Sequence, residues 1–357
     1  MSGADAGGTS RADAARPPVV DVHAHVLLPA LQALVAQRDP DGFADAQALE
    51  ARRNGEPSLA VSGAMIRERF ERLTVLPRRL ADMDATGVDV QVVSPSPSHY
   101  YPWADLGLAL DVARAANAAV AALVAEAPER LVGLGLVALQ HPEACPDLLD
   151  HALGLGLAGV EVSSFAPGAD GRTVELSDER LEPFWARAEE SGAVLFLHPF
   201  GCSLDERLDR FYLSNTVAQP AENAVALSHL IFGGVLDRHP DLRIVAAHGG
   251  GYLPTVIGRS DHAWRTRPDA RTCAEPPSSY LRRLWFDSLT HSPVQLRALV
   301  DAAGADRVVL GSDYPFDMGA EDPVAAADEA GLAPEVLDAV LRTNAAALLA
   351  RTAAVVA

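Results

Sequence analysis

The chain has 357 residues, of which 49% are hydrophobic, and its formal net charge is −19 at pH 7. This acidic balance argues against nucleic acid or an anionic membrane surface as a partner, although a locally basic pocket could still bind an anionic substrate. All 29 basic residues are arginines, and the absence of lysine excludes Schiff-base catalysis, a pyridoxal phosphate anchor, a Walker A phosphate loop and a carbamylated lysine that bridges two metals.

The N-terminal residues 1–17 are small and polar and lack the apolar core of a secretory signal. We therefore expect a disordered tail there and a cytoplasmic protein. No linker or internal repeat divides the rest, so residues 18–357 are expected to form a single domain. The three cysteines, Cys145, Cys202 and Cys273, are far apart and odd in number, which predicts neither a disulfide framework nor a zinc ribbon.

Eight short, mostly apolar runs predict the strands of a parallel sheet that is covered on both faces. They lie at 19–26, 88–94, 131–139, 158–164, 193–199, 243–249, 284–290 and 307–313. Helical patterns lie between most of them, at 104–130, 142–156, 177–192, 221–240, 292–304 and 333–350. This alternation predicts an α/β fold, a (β/α)8 TIM-like barrel. The alternative, an open doubly wound sheet, should have a Gly-rich phosphate loop after its first strand, where this sequence has DVHAHVLLP.

The segment after the first strand, at about 27–79, is too long for a simple connection between a strand and a helix. It is polar and has ARRNGEP near its centre. We expect an insertion over the end of strand one that acts as a lid or a pocket wall.

Metal-type ligands stand at the ends of four predicted strands, where barrels of this kind carry their functional residues. His23 and His25 end strand one, His198 ends strand five, His248 ends strand six and Asp313 ends strand eight. Residues two apart on a strand point the same way, so the first two imidazoles could bind one ion about 2.0–2.1 Å from each nitrogen. A single histidine at a strand end is more often a hydrogen-bonded core residue, but the whole set predicts a metal site for Zn²⁺, Mn²⁺ or Fe²⁺.

The motifs DVHAH, LFLHP, AAHGGGYLP and VLGSDYPF, supported by MDATGVDVQVVSPSP and GRSDHAWR, resemble the amidohydrolase superfamily. More narrowly, they resemble its branch of metal-dependent non-oxidative decarboxylases, over nearly the whole chain from Val19 to about Ala350. The resemblance implies that one divalent metal, zinc in preference to manganese, is held by His23, His25, His198 and Asp313.

The resemblance also implies roles for residues around that metal. His248 would stand beside it as an acid or base, or as a hydrogen-bond partner of the bound water, while Asp313 would be both a ligand and an alternative proton donor. Arg67 and Arg259 match arginines that bind a substrate carboxylate, and Arg259 would reach in from a neighbouring subunit of a homodimer. Phe200 stands where such proteins often have tryptophan, and is expected to contact the substrate.

The implied reaction is loss of CO2 from a small unsaturated or aromatic carboxylic acid, either carboxymuconate semialdehyde-like or hydroxybenzoate-like. The alternative is a metal-dependent hydrolase that acts on an amide, a lactone or a C–C bond at the same mononuclear site. Glu161 lies in the fourth strand, where two-metal members often have a carbamylated lysine. We expect it to be a polar residue behind the ligands rather than a metal ligand.

Overall fold

The computed structural model describes residues 16–168 and 171–350, so nearly all of the expected tail at 1–17 lies outside the described residues. The central sheet consists of eight parallel strands in the order β1-β2-β3-β4-β7-β8-β9-β10, and β5 and β6 form a separate antiparallel pair. The strands are β1 (Val20–Val26), β2 (Val90–Pro95), β3 (Leu131–Leu136), β4 (Gly159–Ser163), β5 (Ala166–Pro167), β6 (Thr173–Val174), β7 (Val194–His198), β8 (Arg243–Ala246), β9 (Trp285–Asp287) and β10 (Val308–Val309).

All eight predicted strands of the sheet are confirmed, but several are shorter than expected. We expected His248 and Asp313 to be the last residues of their strands, whereas β8 ends at Ala246 and β10 at Val309. The reason is backbone conformation, since His248 has φ 54° and Asp313 has φ 58°. A left-handed residue cannot continue a strand, so both side chains are presented by turns just beyond it.

The barrel is closed between its first and last strands by backbone hydrogen bonds. The amide of Val22 donates to the carbonyl of Leu310, and the amide of Asp313 donates to the carbonyl of His23, each at 2.8 Å. The amide of His25 donates to the carbonyl of Tyr314 at 2.7 Å. The predicted barrel is therefore confirmed, and its closure places the residues after β10 directly beside the two histidines of β1.

Helices connect the strands and cover the outside of the barrel. They are α1 (Pro29–Arg38), α2 (Pro40–Glu68), α3 (Phe70–Thr74), α4 (Leu76–Thr86), α5 (Leu106–Glu126), α6 (Cys145–Gly154), α7 (Glu182–Ser191), α8 (Gln219–Phe232), α9 (Val235–Arg238), α10 (Leu253–Thr266), α11 (Pro293–Ala303), α12 (Pro323–Asp328), α13 (Pro334–Asp338) and α14 (Asn344–Leu349). The pattern at 221–240 becomes two helices because Gly234, with φ 70°, interrupts it.

The segment after strand one is helical rather than irregular. It contains α1 to α4, and its longest helix, α2, is interrupted at Gly55, which has φ 73°. Glycine adopts this conformation without the steric cost that a side chain would add. Residues of α2 line the cleft described below, so this part of the chain forms a wall of that cleft.

Among the described residues, α5 is the one helix that is long and apolar enough to cross a membrane. Of its most apolar stretch of 18 residues, 39% are buried inside the protein. Its buried side chains include Leu108, Val112, Ala116 and Val120, which recur every four residues and so share one face. The helix packs against β3 and α6. Its apolar composition is therefore accounted for by packing on the barrel.

Candidate metal centre and active site

Four buried side chains meet at the carboxyl ends of the strands. His23, His25, His198 and Asp313 each offer one donor atom, and these atoms all lie within 4.8 Å of one another. The two histidines of β1 are two apart and point the same way, and His198 is the last residue of β7. The closed barrel thus brings together residues that are far apart in the chain. Residues 23 and 313, for example, are 290 positions apart.

The distances between the donor atoms fit one shared ion. Nε2 of His23 lies 3.1 Å from Nε2 of His25, and Oδ1 of Asp313 lies 3.4 Å and 3.3 Å from these two nitrogens. Two ligand atoms that each lie about 2.1 Å from one ion are about 3.0–3.4 Å apart when the ligand–metal–ligand angle lies between the square-planar and the tetrahedral value. The three atoms therefore have the spacing of ligands on one divalent metal.

His198 supports the same conclusion. Both of its ring nitrogens are buried and have no hydrogen-bond partner among the described residues. A buried polar atom without a partner costs about 1–3 kcal/mol, and a bound cation would satisfy one of these nitrogens. The donor set of three imidazoles and a carboxylate thus suits one divalent metal.

Asp287 was not singled out in the sequence, and it orients the first ligand. Its Oδ2 accepts a hydrogen bond from Nδ1 of His23 at 2.6 Å and another from the backbone amide of His248 at 3.0 Å. Its Oδ1 accepts from the amide of Gly249 at 2.8 Å. A carboxylate on Nδ1 leaves the lone pair of Nε2 free for a metal. In the sequence its one signal is a carboxylate at the end of the short apolar strand WFD, and the structure shows that this carboxylate is fully buried.

A second buried network fixes the backbone beneath the site. Oδ1 and Oδ2 of Asp21 accept hydrogen bonds from the amide and the hydroxyl of Ser312, at 3.0 and 2.6 Å. Gln91 donates to Asp21 at 2.9 Å, and the buried guanidinium of Arg79 donates to Gln91 at 2.6 Å and to the carbonyl of His25 at 2.5 Å. This network joins β1 to β2, to α4 and to the turn that carries Asp313.

The charges at the site are strongly coupled. Burial alone would raise the pKa of Asp313, but the adjacent imidazoles, His23 first, hold it well below its usual range. Burial alone would lower the pKa of His23, yet the carboxylates of Asp313 and Asp287 raise it to about 10. Burial, reinforced by the other histidines, lowers the pKa of His198 well below its usual value.

Glu161 lies behind the ligands, as expected, and is not one of the four donors. Its Oε1 accepts a hydrogen bond from the hydroxyl of Tyr100 at 2.5 Å, and its Oε2 lies 3.8 Å from Nδ1 of His25, on the opposite side of the ring from Nε2. Complete burial raises its pKa. Ser94 also contacts Nδ1 of His25, through its hydroxyl at 3.2 Å.

His248 stands at the edge of the four-donor group. Its Nε2 is 3.7 Å from Oδ2 of Asp313, whose other oxygen faces His23 and His25, and its side chain is 21% exposed. The ring centroids of His248 and His198 are 5.0 Å apart. This histidine therefore contacts both the carboxylate ligand and the solvent-accessible space above it.

A cleft of 590 Å³ opens over the donors, and His198, His248 and Asp313 form part of its floor. Phe200 lines it, whereas Arg67 on α2 and Arg259 on α10 are exposed and do not. In a single chain the structure thus does not bring the two sequence-predicted arginines to the cleft, since both are exposed and neither lines it. The remaining lining includes Arg53, Met65, Ile66, Ser96, Tyr212, His291, Phe316 and Met318.

Arg53 is an arginine at the cleft that the sequence did not single out. It extends from α2, its side chain is 15% exposed, and its Nη2 donates to the carbonyl of Cys202 at 3.1 Å. Its Nε is buried and has no hydrogen-bond partner in the part of the chain that the structure describes. The nearest acidic group is Glu50, 3.7 Å from Nη1. Arg53 thus places a guanidinium group in the wall of the cleft.

Comparison with known proteins connects this geometry to a family. Residues 20–351 match the amidohydrolase family model. The chain is 33% identical over 303 residues to 2-amino-3-carboxymuconate-6-semialdehyde decarboxylase of Dictyostelium discoideum, which covers 84% of this chain and 82% of the relative. It is 30% identical over 256 residues to gamma-resorcylate decarboxylase of Rhizobium sp. (strain MTP-10005), covering 69% of this chain and 78% of the relative.

A solved structure agrees with these relatives. The crystal structure of 2,6-dihydroxybenzoate decarboxylase from Rhizobium superposes with a TM-score of 0.78 at 25% identity, and the match covers 94% of this chain and 99% of the other. The resemblance inferred from the sequence motifs is confirmed. The chain belongs to the amidohydrolase family, in its branch of metal-dependent decarboxylases.

Proposed function

We propose that this chain catalyses non-oxidative decarboxylation of a small aromatic or unsaturated carboxylic acid. The observation that carries the proposal is the buried group of three histidines and one aspartate on the floor of an open cleft, with an arginine in the cleft wall. Its relatives include decarboxylases of a carboxymuconate semialdehyde and of a resorcylate. The proposed substrates are therefore acids similar to these two, with a hydroxyl or carbonyl oxygen near the carboxylate.

We propose one divalent metal, held by His23, His25, His198 and Asp313. Zinc is our first assignment and manganese the second, because three imidazoles with one carboxylate suit both ions. When bound, such an ion supplies a Lewis acid that orients the carboxylate and polarises the neighbouring oxygen. The buried nitrogens of His198, which have no hydrogen-bond partner among the described residues, support a bound metal ion at this position.

The residues of the chain supply substrate binding and proton transfer. Arg53 is proposed to bind a carboxylate, since a guanidinium offers paired donors with the geometry of a carboxylate. As the C–C bond breaks and CO2 leaves, the electron pair stays on the substrate carbon, which must then be protonated. His248 is proposed as the proton donor, because its Nε2 lies at the cleft and its partly exposed ring can regain a proton from solvent. Asp313, 3.7 Å away, orients that ring and stabilises its protonated form.

A role for Arg259 at the active site requires a different setting from the single chain. Arg259 lies on α10 near the exposed Tyr252 and Val256, an arrangement that fits a subunit contact. We therefore propose a cytoplasmic homodimer in which Arg259 approaches the partner's cleft. Light scattering on the purified protein tests the dimer: a monomer at micromolar concentration would remove this role from Arg259.

The experiment for the proposed reaction combines metal analysis with product analysis. We expect close to one divalent metal per chain and release of CO2 from 2,6-dihydroxybenzoate or from 2-amino-3-carboxymuconate semialdehyde, lost on chelation and restored by zinc or manganese. His198→Asn should abolish both metal and turnover, whereas Asp301→Asn, at an exposed position of α11, should change neither. Product that carries solvent ¹⁸O in a carboxylate, formed without CO2, would identify a hydrolase instead.

A further inference from the structure

A second cleft, of 810 Å³, adjoins the candidate active site. It lies between α2, the segment after β2, the end of β3 and the loop after β4. The two clefts share part of their walls, and the shared residues include Arg53, Glu50, Ser98, Phe200, Gly201 and Cys202. The two clefts therefore adjoin along a wall that contains Phe200.

The two clefts differ in the chemistry of their walls. His198, His248 and Asp313 line the first cleft and not the second, whereas much of the second is bounded by large apolar and aromatic side chains. These include Phe43, Leu49, Tyr101, Trp103, Leu139 and Phe165. Arg53 stands where the two meet, with its buried Nε unpartnered among the described residues. Glu50 lines the same junction, 3.7 Å from Nη1 of Arg53, so the junction is polar and the walls beyond it are largely apolar.

The space exceeds what a one-ring acid needs. An apolar cavity of about 150 Å³ is enough to hold benzene, while the first cleft alone measures 590 Å³. Ligand pockets usually bury most of the ligand surface in about 300–1,000 Å³. A small acid such as a dihydroxybenzoate would leave the apolar cleft filled with water. The aromatic walls of that cleft would then contribute nothing to the binding free energy of the acid.

We infer that the second cleft is a substrate subsite that holds an apolar extension of the acid, such as an alkyl chain or a second ring. This inference rests on the proposed decarboxylase function and specifies its substrate class. The carboxylate lies at the four donors and Arg53, the extension passes beside Phe200, and its surface is buried against Trp103, Tyr101 and Leu139. Phe200, which packs edge-to-face on Tyr100 with centroids 6.1 Å apart, is the residue that sets the width of the passage.

Helix α2 offers a matched pair of substitutions for testing this subsite. Ala46 is half-buried and lines the second cleft only, so Ala46→Trp fills it without touching the first. Ala48 lies two residues further on the same helix, is exposed and lines neither cleft. Ala48→Trp therefore carries the same cost in helix propensity and leaves the subsite open.

The probes are resorcinol and 5-pentylresorcinol, the products expected from 2,6-dihydroxybenzoate and its 4-pentyl derivative. Their Kd values for the metal-loaded protein are measured by calorimetry. Each buried methylene can raise affinity about fourfold, so we expect the pentyl compound to bind the unsubstituted protein and Ala48→Trp at least tenfold more tightly than resorcinol. In Ala46→Trp this ratio should fall below threefold while the Kd of resorcinol stays within twofold.

Equal affinity of the unsubstituted protein for the two probes would overturn the inference. An equal loss of affinity for 5-pentylresorcinol in both tryptophan variants would do the same. Because binding requires no turnover, CO2 release from 2,6-dihydroxybenzoate is measured in parallel. Turnover without an affinity gain for the pentyl compound would contradict the subsite alone. An affinity gain that Ala46→Trp removes, with no CO2 from either acid, would contradict the proposed reaction and leave the apolar site standing.

Discussion

The imidazole of His23 and the carboxylate of Asp287 form a fully buried pair, with Nδ1 2.6 Å from Oδ2. The same oxygen accepts the backbone amide of His248, so one carboxylate positions a proposed metal ligand and the proposed proton donor. Residues on β1, β9 and the turn after β8 are thereby held in one arrangement. The pair links metal affinity to the orientation of His248.

Asp287→Asn should lower metal affinity about 10- to 100-fold, because the amide cannot replace the charge that holds His23 with its Nε2 lone pair toward the site. Competition with a chelator measures the affinity, and circular dichroism shows whether the fold is retained. Asp301→Asn, at an exposed position of α11, is the matched control. Unchanged metal affinity in a folded Asp287→Asn protein would contradict the assigned role.

His248→Ala should reduce kcat about 10²- to 10⁴-fold, the usual contribution of a general acid, while metal content stays near one per chain. Elemental analysis and CO2 release are measured on the same preparation. Asp301→Ala, at an exposed position of α11, should leave both unchanged. Loss of the metal in His248→Ala would place this histidine among the ligands instead.

Arg53→Met should raise KM for the acid about 10- to 100-fold, since a charge-assisted hydrogen bond in a partly buried site contributes about 1.5–3 kcal/mol. Arg67→Met changes the same side chain at an exposed position of the same helix and should alter KM less than twofold. Steady-state kinetics with one acid and both variants separates the two arginines. A large increase in KM for Arg67→Met alone would return the carboxylate-binding role to Arg67.

The free energy of unfolding should decrease in mild acid because His99 is buried in its neutral form. It is fully buried, its Nε2 accepts the amide of Leu28 at 2.9 Å, and burial lowers its pKa to about 4. An unfolded histidine has a pKa near 6.5, so the unfolded chain binds the extra proton and the contribution of His99 is lost as the pH falls from about 6.5 to about 4. At pH 5 the loss is about 2 kcal/mol.

Urea unfolding at pH 7 and pH 5 tests this statement. His99→Gln retains a hydrogen-bond acceptor and cannot be protonated, so its stability should decrease less between the two pH values than that of the unsubstituted protein. His262→Gln, at an exposed site, should reproduce the unsubstituted behaviour. The same decrease in His99→Gln would assign the acid sensitivity to other groups.

Much of the architecture could be predicted because it depends on local patterns. Short apolar runs predicted all eight strands of the barrel, and the paired histidines of β1 indicated a shared face. The helices of the segment after strand one were not predicted, since the longest, α2, has no buried residue and contains Gly55 and Pro57, so it lacks the one-sided apolar pattern of a packed helix. The turns that carry His248 and Asp313 were missed for a similar reason, because a left-handed residue leaves no mark in a hydrophobic pattern.

The polar residues that surround the four donors could be identified only from the three-dimensional structure. Asp287 and Arg53 stand in stretches that look ordinary in sequence, one at the end of a buried strand and one in a charged helix. Their significance comes from what lies opposite them, His23 in the first case and the cleft in the second. Sequence spacing contains no information about such contacts between distant segments.

The sequence by itself determined the barrel, the candidate ligands and the exclusion of lysine chemistry, because hydrophobic period, residue type and motif order are local properties of the chain. Only the tertiary structure decided that four donors converge within 4.8 Å, that Asp287 orients one of them and that Arg53 rather than Arg67 lines the cleft of a single chain. It also decided that an apolar cleft adjoins the site. These features arise where the barrel closes and α2 packs over it, and such packing is set by the whole fold rather than by any one segment.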